Sequence, residues 1–218
     1  MKRWLVPGFF LGLVVVAGGL GFLFGTSDGR LYRQELASLV AGKGKERALA
    51  RFQQRLEILG KNREALNLRV VVRKAAHRLL LCDGDQVLAT FPVGLGRNPV
   101  GQKESLHDNR TPEGEYFVCY RKEASRYHLF LGLTYPNPDD AARALGAGLI
   151  TATEAEAILD AGMKKERPPW NTALGGPFGL HGYGADEDWT EGTLALANGH
   201  IEELFWNLPD GTSVVVEP

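Results

Sequence analysis

Cysteine is almost missing from this chain: 218 residues hold two, Cys82 and Cys119. That excludes a disulfide framework and a four-thiolate zinc site. It also leaves few candidates for a thiol nucleophile. Charge of one sign is missing too. With 25 basic and 26 acidic residues the net charge is −1, so the chain as a whole does not read as a nucleic-acid binder. No Lys or Arg follows Arg167, so the C-terminal part carries no basic patch. Ligand spacing is absent around His77, His107 and His200, and a His128/His181 pair lacks a local third ligand. No metal or cofactor is expected. The chain shows no internal repeat and no low-complexity segment. What remains is 44% hydrophobic and 23% charged, the balance of a globular domain with appendages.

The apolar excess is concentrated in one run. Trp4 to Gly25 is 22 residues without a charged side chain. At about 1.5 Å per residue it would reach roughly 33 Å, enough to span a bilayer core. Lys2 and Arg3 precede it, which predicts a cytoplasmic N-terminus and a body across the membrane. The run exceeds a usual signal-peptide core and no clear Ala-x-Ala site follows. An uncleaved anchor over residues 1–27 is therefore preferred to a cleaved signal.

Between Arg30 and Lys74 stand 12 basic residues and 4 Glu. Leu36, Leu39 and Val40 follow helical spacing, as do Phe52, Leu56 and Leu59, with Gly42-Lys43-Gly44 as a break. Residues 28–67 thus read as a helical stalk of two short amphipathic helices. Its basic face could suit anionic headgroups or an acidic wall polymer, but an ordinary solvated helical face is the preferred reading. From Leu68 strands dominate: Leu68–Arg73, His77–Cys82, Gln86–Phe91, Glu115–Tyr120, Tyr127–Leu131 and Ser213–Val216. Asp83-Gly84-Asp85 marks a hairpin. An Ala-rich run from Pro138 to about Leu145, and a second helix opened by Thr153-x-x-Glu156 and running toward Lys165, interrupt the strands.

Three segments far apart in sequence form an ordered set. Gly94-Leu95-Gly96-Arg97 precedes Asp108-Asn109-Arg110-Thr111-Pro112-Glu113-Gly114. Ser125-Arg126-Tyr127-His128 opens a strand. Gly179-Leu180-His181-Gly182 is followed by Asp188-Trp189-Thr190-Glu191-Gly192-Thr193-Leu194. In this order the motifs resemble the L,D-transpeptidase catalytic-domain family, on the side of its murein L,D-transpeptidase-like branch. The resemblance covers about residues 68–218, including the ending Ile201–Phe205 and Leu208–Thr212. It implies a mainly β fold of sandwich-like mixed sheets with a helical insertion, here behind an N-terminal transmembrane helix and the stalk. It also implies peptidoglycan remodelling by acyl transfer on stem peptides, with cross-linking or hydrolytic trimming as outcomes. The implied place is the bacterial cytoplasmic membrane, single-pass, with the C-terminal domain facing the periplasm or cell wall. The implied partners are stem peptides and the inner membrane, not nucleic acid.

Acyl transfer needs a nucleophile, a base and N–H donors for the oxyanion. The resemblance assigns His181 as base and the backbone of Gly192 to Thr193 as oxyanion donors. Thr193 stands where the family carries its nucleophilic cysteine, and Glu191 where a histidine is common. A threonine hydroxyl is far harder to ionise than a thiol. Three readings therefore stay open: an enzyme with Thr193 as nucleophile, an inactive peptidoglycan-binding or regulatory pseudo-enzyme, and a structural wall tether whose pocket takes no ligand. Arg126, His128, Trp189 and Glu191 are expected at the substrate, with Arg110 as a further carboxylate ligand. Trp170 and Tyr183 are expected around the groove or over the core. Asp186, Glu187, Asp188 and Glu191 predict an acidic mouth suited to an amine. Cys119 is weighed as a displaced nucleophile against an ordinary buried residue, and Cys82 and Cys119 as a bridge if their strands are neighbours.

Overall fold

The computed structural model describes residues 44–218. The chain runs α1 (Gly44–Ile58), a 3-10 turn (Arg63–Ala65), β1 (Leu68–Arg73), β2 (Arg78–Asp83), β3 (Gln86–Pro92), β4 (Gly114–Ser125) and β5 (His128–Leu133). Then follow α2 (Pro138–Gly146), α3 (Ala152–Lys164), β6 (Gly179–His181), β7 (Leu194–Ala195), α4 (Asn198–Asn207) and β8 (Ser213–Glu217). The predicted anchor and the first predicted stalk helix lie outside the described residues. Among the described residues no helix is long and apolar enough to cross a membrane.

The strands make one mixed sheet in the order β3-β2-β1-β8-β4-β5-β6-β7. β1, β2 and β3 are an antiparallel meander, as the Asp83-Gly84-Asp85 turn predicts. The last strand, β8, is inserted at the centre, parallel to β1 and antiparallel to β4. Its valines alternate: Val214 and Val216 are buried, while Ser213 and Val215 are half-buried. The two sheet edges meet. Gly94, just past β3, and Ala195 on β7 exchange N–H···O bonds of 2.9 Å in both directions. The sheet therefore folds over a single core in which Leu79, Leu81, Val118, Leu131, Leu133 and Leu180 are fully buried.

α1 is docked on this core. Phe52 and Leu56 have no exposed surface. Each contributes roughly 2 kcal/mol of apolar burial. Arg55 reaches Glu203 on α4 at 3.1 Å, and that carboxylate is only 2% exposed. The helical spacing read around Phe52 and Leu56 thus marks a face against α4. The helical insertion is present as α2 and α3. Asn137 and Asp140 form a capping box for α2; Thr151 and Glu154 do so for α3, two residues earlier than the expected Thr153 and Glu156.

The topology separates the cysteines. Cys82 is on β2 and Cys119 on β4, with β1 and β8 between them. Three strand spacings are about 14 Å, against the roughly 7 Å that a disulfide tolerates. Both thiols are free.

One buried cation fixes the turn that leads into β4. Lys74, 3% exposed, donates to Gly101 O at 2.7 Å, Thr111 O at 3.0 Å and Glu113 Oε1 at 2.6 Å. All three ammonium protons are used. Lys74→Met leaves those acceptors without their donor. It is expected to cost about 3 kcal/mol, read as a lower urea midpoint at unchanged slope.

Candidate active site

His181 closes β6, between Phe130 on β5 and Ala195 on β7. It is 2% exposed. Its Nδ1 is 2.8 Å from Gly182 O. A carbonyl only accepts, so Nδ1 carries the proton and Nε2 the lone pair. Nε2 lies 2.8 Å from Thr193 Oγ1, so the threonine hydroxyl donates to the ring. Burial pushes the imidazole pKa down to about 4, partly opposed by the bond to Gly182 O, and the ring is neutral near pH 7. Tyr127 lies over it at 4.9 Å between centroids, tilted by 30°, and Trp189 presents an edge at 5.4 Å. The Trp189 indole N–H is anchored on Gly184 O at 3.3 Å.

The Thr193 loop is held from below by Thr190, which is 4% exposed. Its hydroxyl lies 2.7 Å from Thr193 O and 3.0 Å from Leu95 O, and accepts from Gly192 N–H at 3.1 Å. Backbone bonds from Arg97 N–H to Thr190 O (3.0 Å) and from Thr190 N–H to Leu95 O (3.2 Å) tie the loop to the Gly94–Arg97 segment. Thr111 supports that segment by accepting from Gly96 N–H at 2.9 Å. The two expected oxyanion donors differ in their surroundings. Gly192 N–H is spent on Thr190 Oγ1, whereas Thr193 N–H has no partner among the described residues.

A cleft of about 560 Å³ opens onto Thr193. Arg126, Trp189, Glu191, Gly192 and His181 line it together with Tyr127 and Trp170. His128 does not. It sits at φ 71°, and its Nε2 is 3.0 Å from Glu202 Oε1 on α4. The expected alternation fails because His128 opens β5 with a positive φ, ahead of the uniformly buried run Leu129–Leu133. Arg110 is likewise occupied elsewhere, with Gln102 O at 3.2 Å and Glu104 at 3.3 Å.

The acidic mouth is also overturned. Asp188 is turned away: it accepts from Leu95 N–H at 2.8 Å and lies 2.9 Å from His77 Nε2. The charged residues lining the cleft are Arg97, Lys103, Lys122 and Arg126, against Glu191. The cleft therefore favours an anion. Cys119 is no displaced nucleophile. Its thiol lies 3.6 Å from Gly132 O, away from the cleft lining, and burial pushes it up to about 12.

Thr190 and Lys103 carry no sequence signal that sets them apart. A threonine two residues before a glycine, and a lysine in a polar loop, carry no periodic signal. The spacing Lys103-x4-Asp108 before Thr111-Pro112 was the available hint.

Residues 67–216 match the family model of the L,D-transpeptidase catalytic domain. The chain belongs to the L,D-transpeptidase catalytic-domain family. Solved structures similar to this L,D-transpeptidase domain include the helical cell shape determining protein Pgp2 from Campylobacter jejuni, at 18% identity and TM-score 0.47, covering 76% of this chain and 55% of that one. Bd1075 from Bdellovibrio bacteriovorus is 18% identical with TM-score 0.45, covering 71% and 49%. An L,D-transpeptidase from Xylanimonas cellulosilytica is 14% identical with TM-score 0.39, covering 70% and 61%. The chain thus spans about half to three fifths of the length of these structures. No curated protein matches it significantly.

Proposed function

We propose that this L,D-transpeptidase domain acts on peptidoglycan stem peptides by acyl transfer, with Thr193 in place of the family's cysteine and His181 as its base. The observation that carries this reading is the 2.8 Å hydrogen bond from Thr193 Oγ1 to His181 Nε2 at the cleft floor. Nucleophile and base are within proton-transfer distance, and the Gly182 carbonyl fixes the base in the accepting tautomer. Attack of Oγ1 on a stem-peptide carbonyl forms an ester as its proton moves to Nε2. The imidazolium then protonates the departing amine. Thr193 N–H, without a partner among the described residues, is the donor this reading assigns to the oxyanion. An amine or water resolves the ester. The uncharged run from Trp4 supports a single-pass anchor in the cytoplasmic membrane, with the domain facing the periplasm or wall.

Incubation with tetrapeptide muropeptides tests this. Slow release of the terminal residue is expected, and Thr193→Ala should abolish it. Protonated His181 cannot accept, so the rate should be flat from about pH 5 upward and fall as pH drops through about 4. Equal release by wild type and Thr193→Ala would sink the assignment.

A second reading, a stem-peptide binder without turnover, is favoured by the same histidine. A base with a pKa near 4 draws a proton weakly from a hydroxyl, and its Nδ1 faces a carbonyl rather than a carboxylate. Wild-type binding without release is its signature.

A further inference from the structure

Lys103 is the one cation lining the cleft that is itself buried, at 7% exposure. Arg97, Lys122 and Arg126 are exposed. An ammonium has three N–H donors. One of those on Lys103 is spent on Asp108 Oδ1 at 2.7 Å. Asp108 is itself locked, accepting from the backbone N–H groups of Glu104, Ser105 and Arg110 at 2.6, 3.0 and 3.0 Å. The ion pair is therefore fixed in place, and because Nζ has no acceptor besides Asp108 among the described residues, two N–H donors remain for a group that enters the cleft. Nζ lies 3.7 Å from where a side chain on Gly192 would begin, one residue from Thr193.

We propose that Lys103 is a specificity-determining residue that binds the terminal carboxylate of the peptide whose preceding carbonyl meets Thr193. This rests on the stem-peptide reading above and names the group that selects the bond. In a C-terminal residue the carboxylate carbon is three bonds from the attacked carbonyl carbon, within about 4 Å. An anchor beside Gly192 therefore puts the last peptide bond, and no internal one, opposite Oγ1. Burial makes this contact discriminating. A charge held out of water is screened little, and a buried ammonium with two open donors gains most from an anionic acceptor. The exposed Arg97, Lys122 and Arg126 raise the local concentration of anions without fixing their position.

The test compares a tetrapeptide stem with its C-terminal carboxamide, by calorimetry on the full chain. Wild type is expected to bind the acid at least about tenfold more tightly than the amide, the usual reward for a charge-assisted pair. Lys103→Met should lose that preference and keep the amide affinity. Lys103→Arg should retain part of the preference, and it serves if the methionine variant does not fold. Arg126→Met should weaken the acid modestly and in a salt-dependent way. A wild type that binds acid and amide equally, or a Lys103→Met that still prefers the acid, would overturn the assignment while leaving the stem-peptide reading intact. N-acetyl-D-alanine and its amide, titrated by NMR, separate the two failures. If the stem does not bind but the short acid does so through Lys103, the carboxylate site stands and the stem-peptide reading falls. If neither acid binds, both fall.

Discussion

Thr193→Cys is expected to raise release of the terminal residue from muropeptides by at least about a hundredfold at pH 8. The reason is the population of the attacking anion. An unperturbed thiol near pKa 8.5 is about one quarter ionised at that pH, whereas a hydroxyl is not measurably so. The rest of the machinery is already placed. Position 193 lies 2.8 Å from a neutral imidazole, opens on the cleft and sits in a loop locked by Thr190. The substitution removes a methyl group and lengthens one bond, so its packing cost stays near 1 kcal/mol. The thiolate also needs no strong base, which removes the handicap of a histidine titrating near 4. If Thr193→Cys binds the stem yet releases nothing, the Thr193–His181 pair is not aligned with the scissile carbonyl, and only the binding reading survives.

The parts of the fold visible in the sequence are those with local signals. Runs of Val, Leu and other strand-forming residues mark β1, β2 and β3 within a residue, and the turn chemistry of Asp83-Gly84-Asp85 pairs two of them. Helical spacing around Phe52 and Leu56 announced α1, although a one-dimensional pattern does not say whether the apolar face meets another domain element. Non-local pairing was invisible. Nothing in Ser213-Val214-Val215-Val216 tells that it enters between β1 and β4, and that insertion is what parts Cys82 from Cys119.

The site divides in the same way. His181, Gly192 and Thr193 are carried by contiguous motifs, and the fold brings them together. Charge at the cleft is not legible in the sequence, because proximity along the chain is a poor guide to orientation. Asp188 is one residue from Trp189, which lines the cleft, yet its carboxylate serves Leu95 N–H and His77. Lys103 is 90 residues from Thr193 in the chain, and only the loop held by Asp108 delivers it.

Gly192→Ala should undo the site even when position 193 carries a cysteine. Gly192 has φ 128°, a region that L-residues rarely enter. An added Cβ would lie 2.6 Å from Arg110 O, a backbone atom with no rotamer to yield. Strain and overlap together are expected to cost about 3 kcal/mol, lowering the melting temperature by roughly 10 °C. Function should suffer more than stability. The loop relaxes by moving away from the Arg110 segment, and the Thr190 hydroxyl that accepts from Gly192 N–H is the same one that holds Thr193 O. A displacement of about 1 Å at residue 193 costs on the order of a hundredfold in rate. The double variant Gly192→Ala/Thr193→Cys is therefore expected to lose most of what Thr193→Cys gains, while still folding. Retained activity with unchanged melting would mean that the loop tolerates a side chain there, and that its positive φ is not what aims position 193 at the substrate.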